Sequence, residues 1–331
     1  MILVIAEKPS VAQSIAKVLG ATSRKDGYME GGNYIVSWCF GHLVELADAS
    51  SYDERYAKWR YDDLPIVPES WMFDVTKDKA QQFKVLSSLM KDKRVTELVC
   101  ATDAGREGEL IFRLVYNKAG CTKPFKRLWI SSLEDSAIRE GFNHLRDGKE
   151  YDRLYEAALS RSKADWIVGI NGTRLFTTLY HKKLVVGRVQ TPTLAMLVER
   201  DGKISTFQKE KYFNVHIGKG DLTADLEKVK TEEEAKRIAA ACEKKQAVVS
   251  SLKRETKTVN PPKLYDLTTL QREANRYYGF TAQQTLDLVQ TLYEKKLLTY
   301  PRTDSQFITD DMEDTARQVI YLVCRLLLEK K

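Results

Sequence analysis

Short apolar runs alternate with helix-like segments near the start of the chain, and this alternation constrains the fold more than any other feature. Ile2 to Ala6 is an apolar run of strand length, and Pro9 follows it at a position that favours the start of a helix. A second run, Glu97 to Ala101, precedes a helical pattern from Arg106 to Ala119. Apolar runs without polar alternation indicate strands that are buried on both faces. The alternation of strand-like and helix-like segments therefore predicts that residues 1–147 form an α/β domain with a mostly parallel sheet.

The same two periodicities predict the remaining elements. Within the first domain we expect strands at Tyr34 to Phe40 and Phe125 to Ile130, and a helix at Asp135 to Leu145 capped by Ser131 or Ser132. Beyond it we expect helices at Tyr151 to Ile170, Leu194 to Arg200 and Glu232 to Lys245, strands at Tyr212 to Ile217, Leu222 to Leu226 and Val248 to Val259, and a linker at Asn260 to Pro262. The final prediction is a helix-turn-helix-like unit with helices at Asp266 to Tyr278 and Thr281 to Lys296, followed by a strand around Tyr300.

The amino-acid composition narrows the classes of protein to which this chain can belong. Lys and Arg number 53 against 46 Asp and Glu, a mild basic excess that suits a nucleic-acid partner without requiring one. Five cysteines with no Cys-x-x-Cys spacing argue against a disulfide framework and against a zinc site. The sequence contains no apolar run of membrane-spanning length, and the apolar start is too short for a secretory signal. We expect a soluble, cytoplasmic protein without a membrane partner.

Acidic side chains follow two of the predicted parallel strands. Glu7 comes directly after the first strand, and Asp103 comes shortly after the strand that ends at Ala101. Because the carboxyl ends of parallel strands share one edge of a sheet, we expect both side chains in one crevice. With Glu107 they could hold Mg²⁺ through one or two oxygens plus waters. A plainer interpretation stays open, in which Asp103 caps a helix and Glu107 offsets its dipole.

A phenol, a proline and a guanidinium stand together at Tyr300-Pro301-Arg302. A residue before proline is pushed toward extended backbone, which restricts how the Tyr300 phenol is presented. Arg302 lies two positions along, on the same side of an extended chain, and can grip a phosphate. A phenol beside such an arginine suits nucleophilic attack on a phosphodiester. A strand end followed by a turn explains the same residues without any chemistry.

Three motifs occur in order along the chain: Ala6-Glu7-Lys8-Pro9-Ser10, then Thr102-Asp103-Ala104-Gly105-Arg106-Glu107-Gly108-Glu109, then Leu298-Thr299-Tyr300-Pro301-Arg302-Thr303-Asp304-Ser305. Together they resemble the type IA DNA topoisomerases, most of all the bacterial topoisomerase III branch. The resemblance implies an ATP-independent isomerase that cleaves and rejoins single-stranded DNA, for relaxation of negative supercoils and decatenation. A failed phosphate-loop match agrees with this, because Asn33 stands where that loop requires lysine.

The resemblance implies catalytic roles for four residues. Tyr300 would attack the phosphodiester and form a 5′-phosphotyrosyl bond. Arg302 and Lys8 would stabilise charge on the phosphate, and Glu7 would move the proton of the leaving 3′ oxygen.

The resemblance also implies a Mg²⁺ cofactor held by Glu7, Asp103 and Glu107. The family's acidic motif is Asp-x-Asp-x-Glu, whereas this chain has Gly105 at the position of the second aspartate. The number and affinity of bound metal ions are therefore open.

DNA contacts are a further implication of the resemblance. The expected DNA-binding residues are His42, Arg60, Arg161, Asp165, Arg188 and Gln190. Arginine can grip phosphate, glutamine can bond to sugar or base, and the Lys58-Trp59-Arg60 stretch offers charge and stacking to a single strand. A plainer interpretation also explains these residues: an exposed loop beside a structural ion pair, with Trp59 in the core.

The implied architecture is a partial multidomain type IA fold. We predict a Toprim-like α/β domain at residues 1–147, a helical DNA-binding segment at 148–208, a mixed α+β gate-arch segment at 209–260 and the helix-turn-helix-like tyrosine domain at 261–331. The family pattern continues well beyond the tyrosine, whereas this chain has 331 residues, so we expect a C-terminally incomplete member. The other interpretations are a single-strand-binding remnant and a Toprim nuclease or primase that ignores Tyr300.

The expected partners follow from the same resemblance. They are single-stranded DNA and underwound duplex DNA, with a helicase as a further candidate. We expect a monomer in the bacterial cytoplasm, associated with the nucleoid or with plasmids.

Overall fold

The structure is a computed structural model that describes residues 1–130, 132–246, 248, 250–260, 262–295, 297–298, 301–302 and 305–307. The strands among these residues are β1 (Ile2–Ala6), β2 (Ser23–Lys25), β3 (Tyr28–Gly31), β4 (Tyr34–Trp38), β5 (Val44–Leu46), β6 (Phe73–Val75), β7 (Glu97–Ala101), β8 (Phe125–Arg127), β9 (Arg146–Asp147), β10 (Phe213–Lys219) and β11 (Leu222–Val229). The helices are α1 (Pro9–Leu19), α2 (Ala80–Lys91), α3 (Arg106–Lys118), α4 (Asp135–Asn143), α5 (Asp152–Tyr180), α6 (Gln190–Ser205), α7 (Glu232–Cys242), α8 (Leu267–Tyr278) and α9 (Ala282–Glu294). Short 3-10 helices lie at Ala49–Ser51, Glu54–Ala57, Tyr61–Asp63, Lys77–Lys79 and Gly148–Tyr151.

A mixed sheet forms the centre of the first part of the chain. Its strand order is β2-β3-β4-β1-β7-β8-β9. The four inner strands β4, β1, β7 and β8 are parallel, while β2, β3 and β9 pair antiparallel at the two sides. The predicted α/β domain with a mostly parallel sheet is confirmed. The order places β1 between β4 and β7, so the ends of these strands come together.

The position of β1 at the centre of the sheet explains why its residues are uniformly apolar. Leu3 and Ile5 face a core that includes Leu86 of α2 and Phe112 of α3. Val4 lies on the other face, among the residues packed beneath α1 and α4. Because both faces are covered by helices, every position along the strand is buried and apolar.

Several predicted boundaries agree closely with the structure. β1 and β7 have the predicted limits, and α1 ends at Leu19 with Gly20 in the left-handed conformation at φ 74°. In the last part of the chain, Asp266 caps α8 by accepting a hydrogen bond from the Thr269 N–H at 2.7 Å. Thr281 caps α9 through a reciprocal capping box with Gln284. These caps are local side-chain to backbone contacts, which is why the sequence predicts them.

Helix lengths depart from prediction in two places. α5 continues ten residues past Ile170, to Tyr180, because Asn171 and Arg174 make side-chain contacts that hold this part of the helix against residues 56–66. α6 begins at Gln190, so Pro192 lies in its first turn and not in a break before it. Proline is tolerated there because the first N–H groups of a helix have no partner inside the helix.

Two other local predictions are wrong, and a third falls partly outside the described residues. No strand forms over the described residues of Val248 to Val259, which have no pairing partner. Ser132 does not cap α4: its hydroxyl accepts from the N–H of Glu134, the N-cap residue, and Ser131 lies outside the described residues. The described residues around Tyr300 form a bend and a turn where a strand was predicted, and Tyr300 itself lies outside the described residues.

The chain divides into two compact units, whereas the predicted four-part division stays a prediction. One unit comprises Met1–Arg188 with the described residues after Pro261, and the other comprises the described residues of Val189–Pro261. Within the second unit, β10 and β11 form an antiparallel hairpin on which α7 packs through a small apolar cluster. None of the described helices has the combination of length and apolar character needed to cross a membrane.

Candidate active site

Glu7 and Asp103 meet at the carboxyl ends of the central strands. β1 and β7 are adjacent and in register, with Ala6 beside Ala101, so the chain leaves both strands at the same edge. The backbone N–H of Asp103 donates a hydrogen bond of 3.2 Å to a carboxylate oxygen of Glu7, although the residues are 96 positions apart. We call Glu7, Asp103 and Glu107, which lies four positions after Asp103 in the first turn of α3, the acidic edge.

Close backbone packing holds the loop that carries Asp103. The Thr102 hydroxyl donates to the Gly108 carbonyl at 2.7 Å, and the Gly105 N–H donates to the Asp103 carbonyl at 2.9 Å. A Cβ placed on Gly108 would lie 2.2 Å from the Asp103 carbonyl oxygen, closer than any real contact. Glycine at position 108 therefore allows the first turn of α3 to approach the loop.

Gly105 is different, because nothing in its surroundings requires glycine. Its backbone is extended, at φ −178°, and an added Cβ would meet no atom within 4 Å. A side chain at this position would point into open space. Steric exclusion therefore does not explain why the second carboxylate of the acidic motif is missing at position 105.

Burial and charge alter the acidity of Glu7. Burial raises the pKa of this carboxyl above its usual value, and the negative charge of Asp103 raises it further. The hydrogen bond from the Asp103 N–H and the positive charges of Lys8 and Arg127 act in the opposite direction. The net effect keeps a proton on Glu7 at a pH where an exposed glutamic acid has lost it.

His42 lies at the acidic edge. Its Nε2 is 3.7 Å from a carboxylate oxygen of Glu107, and the backbone carbonyl of His42 accepts a hydrogen bond from Lys79 at 3.0 Å. Arg106 approaches the other oxygen of Glu107 at 3.9 Å. The Glu107 side chain keeps 60% of its surface exposed, so it remains accessible to solvent and ligands.

The acidic edge fits a weakly held, hydrated metal ion. Among the described residues, no three His, Cys, Asp or Glu side chains are grouped as a ready-made metal site. Glu7 and Asp103 nevertheless place two mutually repelling carboxylates together, and this repulsion adds to the effect of burial in raising the pKa of Glu7. Mg²⁺ is commonly bound by one or two carboxylates and otherwise by water and substrate phosphate. These residues therefore suit Mg²⁺ without forming a closed cage.

A group of buried charges beneath the acidic edge was not predicted. Arg127 and Glu109 have fully buried side chains and approach each other at 3.2 Å, while Arg113 donates to the other oxygen of Glu109 at 2.8 Å. The available signal was an arginine inside a predicted buried strand, where a charge needs a partner. Burial also raises the pKa of the neighbouring Cys100 thiol to about 11, so this cysteine stays protonated.

The other predicted catalytic residues lie at the ends of elements. Lys8 is the N-cap residue of α1, directly after Glu7. Arg302 is exposed in a turn after the buried Pro301. Tyr300 lies outside the described residues.

The predicted DNA-binding residues lie on several different elements. Arg161 is half-buried on α5, and Asp165 on the same helix accepts a 2.8 Å hydrogen bond from Arg188, with both side chains partly exposed. Gln190 is the exposed first residue of α6, in the second unit. Arg60 is exposed at the start of a 3-10 helix.

Side chains of α5 hold the irregular segment at residues 47–66. Trp166 donates to the Ala47 carbonyl at 3.0 Å, and Arg174 donates to the Tyr56 carbonyl at 2.8 Å. The Asn171 amide accepts from the Ile66 N–H at 2.6 Å and donates to its carbonyl at 2.9 Å. This anchoring holds the segment that carries Trp59 and Tyr61.

Trp59 is a surface residue and not part of the core. The residue is 42% exposed, and the Arg174 guanidinium lies 5.3 Å from the centre of its ring. Tyr61 nearby is 56% exposed. Exposed rings beside cations are the usual means of holding single-stranded nucleic acid without sequence preference.

Comparison with known proteins agrees with this geometry. A family model described as Toprim domain matches residues 2–133, and one described as DNA topoisomerase matches residues 149–326. The chain is 46% identical to DNA topoisomerase 3 of Staphylococcus haemolyticus, over 96% of this chain and 45% of that protein. It is also 46% identical to DNA topoisomerase 3 of Bacillus subtilis, over 95% of this chain and 44% of that protein. The chain thus spans less than half the length of these relatives.

A solved structure is similar as well. Full-length topoisomerase I from Thermotoga maritima superposes with a TM-score of 0.68 at 27% identity, covering 97% of this chain and 52% of that one.

Proposed function

We propose a function for this chain on the premise that it belongs to the type IA DNA topoisomerases, in the topoisomerase III branch. The proposed reaction is ATP-independent cleavage and rejoining of single-stranded DNA through a 5′-phosphotyrosyl intermediate on Tyr300. The observation that carries the proposal is the hydrogen bond between the Asp103 N–H and the Glu7 carboxylate, which joins the first two motifs at one edge of the sheet. Relaxation of negative supercoils and decatenation would be the outcomes of this chemistry.

The proposed cleavage step exchanges one phosphoester for another. The Tyr300 oxygen forms a bond to phosphorus while the bond from phosphorus to the 3′ oxygen breaks, and the phenol proton leaves to water. Glu7, whose pKa is raised by burial, donates its proton to the leaving 3′ oxygen. Lys8 and Arg302 stabilise the charge on the phosphate. Rejoining is the reverse, so no external energy source is needed.

A Mg²⁺ ion would be held by Asp103 and Glu107 together with water, and by Glu7 once that side chain has given up its proton. When bound, it supplies positive charge beside the scissile phosphate and orients that phosphate. The protein's own part is to keep the carboxylates at the sheet edge, where Asp103 is tied to Glu7 through its backbone.

We infer that single-stranded DNA is the substrate and that underwound duplex DNA supplies it. Asp165 orients the Arg188 guanidinium and leaves half of that side chain exposed for a phosphate. Arg161, Gln190, His42 and Arg60 would add contacts, and exposed Trp59 over Arg174 offers a stacking surface. A bacterial cytoplasmic location at the nucleoid or on plasmids, a helicase partner and a monomeric state belong to the same proposal.

The test is a covalent-adduct assay with single-stranded DNA labelled at its 3′ end. A 5′-phosphotyrosyl bond retains the downstream fragment, so the label should migrate with the protein on a denaturing gel in the presence of Mg²⁺. Tyr300→Phe should abolish the adduct, whereas Tyr278→Phe, at an exposed tyrosine of α8, should leave it intact.

Other outcomes would replace the proposal. Salt-sensitive DNA binding without any adduct would indicate a single-strand-binding protein. Free cleavage products that survive Tyr300→Phe would indicate a Toprim nuclease.

A further inference from the structure

A chain of buried charges runs beneath the acidic edge, and the proposed reaction does not use it. The side chains of Arg127 and Glu109 have no exposed surface, and that of Arg113 is 12% exposed. Arg113 also donates to Asp152, at the first residue of α5, at 2.7 Å. Burying so many charges is costly unless each one is paired, which points to a specific task.

Arg127 holds the backbone where β7 leaves the sheet. Its Nη1 donates to the carbonyls of Cys100 at 3.0 Å and Thr102 at 2.7 Å, and its Nη2 donates to the carbonyl of Asp103 at 2.5 Å. β8 ends at Arg127, and the Leu128 N–H still donates to the Cys100 carbonyl at 3.0 Å, so the guanidinium adds to this backbone bond and reaches past it to the Thr102 and Asp103 carbonyls. A planar fork with several donors suits this task, and a lysine ammonium does not.

Glu109 supplies the countercharge that stabilises the buried Arg127 guanidinium. One carboxylate oxygen lies 3.2 Å from the Arg127 Nε, and the other accepts from the Arg113 Nε at 2.8 Å. Without Glu109, the Arg127 guanidinium would be a buried charge whose hydrogen-bond partners are backbone carbonyls, the Cys100 thiol and the Thr102 hydroxyl.

We propose that Glu109 and Arg127 are positioning residues for the acidic edge: Arg127 grips the carbonyls on either side of the turn into Asp103, and Glu109 holds Arg127 in place. Because the Asp103 N–H also donates to Glu7, fixing this backbone fixes both carboxylates relative to each other. The divalent-cation part of this inference rests on the proposed function, whereas the ordering of the loop does not.

Hydrogen exchange measured by mass spectrometry tests the ordering directly. The Asp103 and Gly105 amides donate to Glu7 and to the Asp103 carbonyl, so their exchange reports the loop. We expect Glu109→Gln to speed their exchange at least about tenfold, since it leaves a buried charge unpaired. Arg127→Lys should do the same. The matched control is Leu86→Ala, which removes a fully buried side chain of the same core without touching the loop.

A second control separates the Arg127 pair from the rest of the charged group. Arg113→Met leaves Glu109 beside Arg127, so the exchange of the loop should stay within about twofold of the unaltered chain. Should Glu109→Gln fail to fold, Glu109→Asp carries the test, because it keeps the charge but shortens its reach toward Arg127.

Metal affinity tests whether the ordering of the Asp103 loop affects divalent-cation binding at the acidic edge. Mn²⁺ binding followed by electron paramagnetic resonance should weaken at least about fivefold in Glu109→Gln and Arg127→Lys while circular dichroism shows a folded chain. Leu86→Ala should leave Mn²⁺ affinity unchanged.

The results separate this inference from the proposed function. The inference is overturned if the loop amides exchange no faster in Glu109→Gln than in Leu86→Ala, or if they exchange equally fast in Glu109→Gln and Arg113→Met. This holds even if the unaltered chain forms the covalent adduct. Faster loop exchange with no adduct from the unaltered chain supports the inference and counts against the proposed function.

Discussion

Replacing Gly108 by alanine should disrupt the acidic edge through a single methyl group. The new Cβ would lie 2.2 Å from the Asp103 carbonyl oxygen and 2.9 Å from its nitrogen, and both of these neighbours are backbone atoms that cannot rotate away. Overpacking of this kind costs about 1–3 kcal/mol. Loss of the hydrogen bond from Thr102 to the Gly108 carbonyl adds about 1 kcal/mol, and the better helix propensity of alanine returns about 1 kcal/mol. We therefore expect the free energy of unfolding to fall by about 1–3 kcal/mol.

The assay for this prediction is urea unfolding followed by circular dichroism, with Gly105→Ala as the matched control. Gly105 lies three residues earlier in the same motif, and its Cβ would meet nothing within 4 Å, so we expect a loss of less than about 1 kcal/mol, from weaker capping. Equal stability losses in the two variants, or no loss in Gly108→Ala, would refute the argument that close approach to Asp103 requires glycine. Mn²⁺ affinity should fall in Gly108→Ala alone.

Further predictions concern the acidic edge and its supports. Glu7→Gln should raise the free energy of unfolding at neutral pH, because the raised pKa of Glu7 means that ionising it destabilises the folded chain, and Gln still accepts the Asp103 N–H. This gain should shrink as the pH falls through the raised pKa toward 4.5, and a gain that is the same at every pH in urea titrations would contradict it. Gly105→Asp, which has open space for its side chain, should fold normally and bind Mn²⁺ more tightly by electron paramagnetic resonance; unchanged affinity would show that position 105 does not face the ion. Asn171→Ala removes both hydrogen bonds to Ile66 and should cost about 1–3 kcal/mol of stability in thermal unfolding, with faster proteolysis of the 47–66 segment as a second readout.

Local chemistry explains which predictions from the sequence held. The glycine end of α1 and the capping box of α9 depend on residues a few positions apart, so the sequence specifies them directly. The predicted strand over Val248 to Val259 failed because strand formation depends on a partner strand, and the described residues there have none.

The sequence by itself determined the strand and helix pattern of the first domain, the type IA motifs and the convergence of Glu7 and Asp103 on one sheet edge. Only the tertiary structure decided what lies around that edge. The pairing of Asp165 with Arg188, the contact of His42 with Glu107 and the burial of Arg127 against Glu109 join residues 18 to 65 positions apart. Such contacts depend on strand order and helix packing, which periodicity does not encode, because periodicity describes one face of one element at a time.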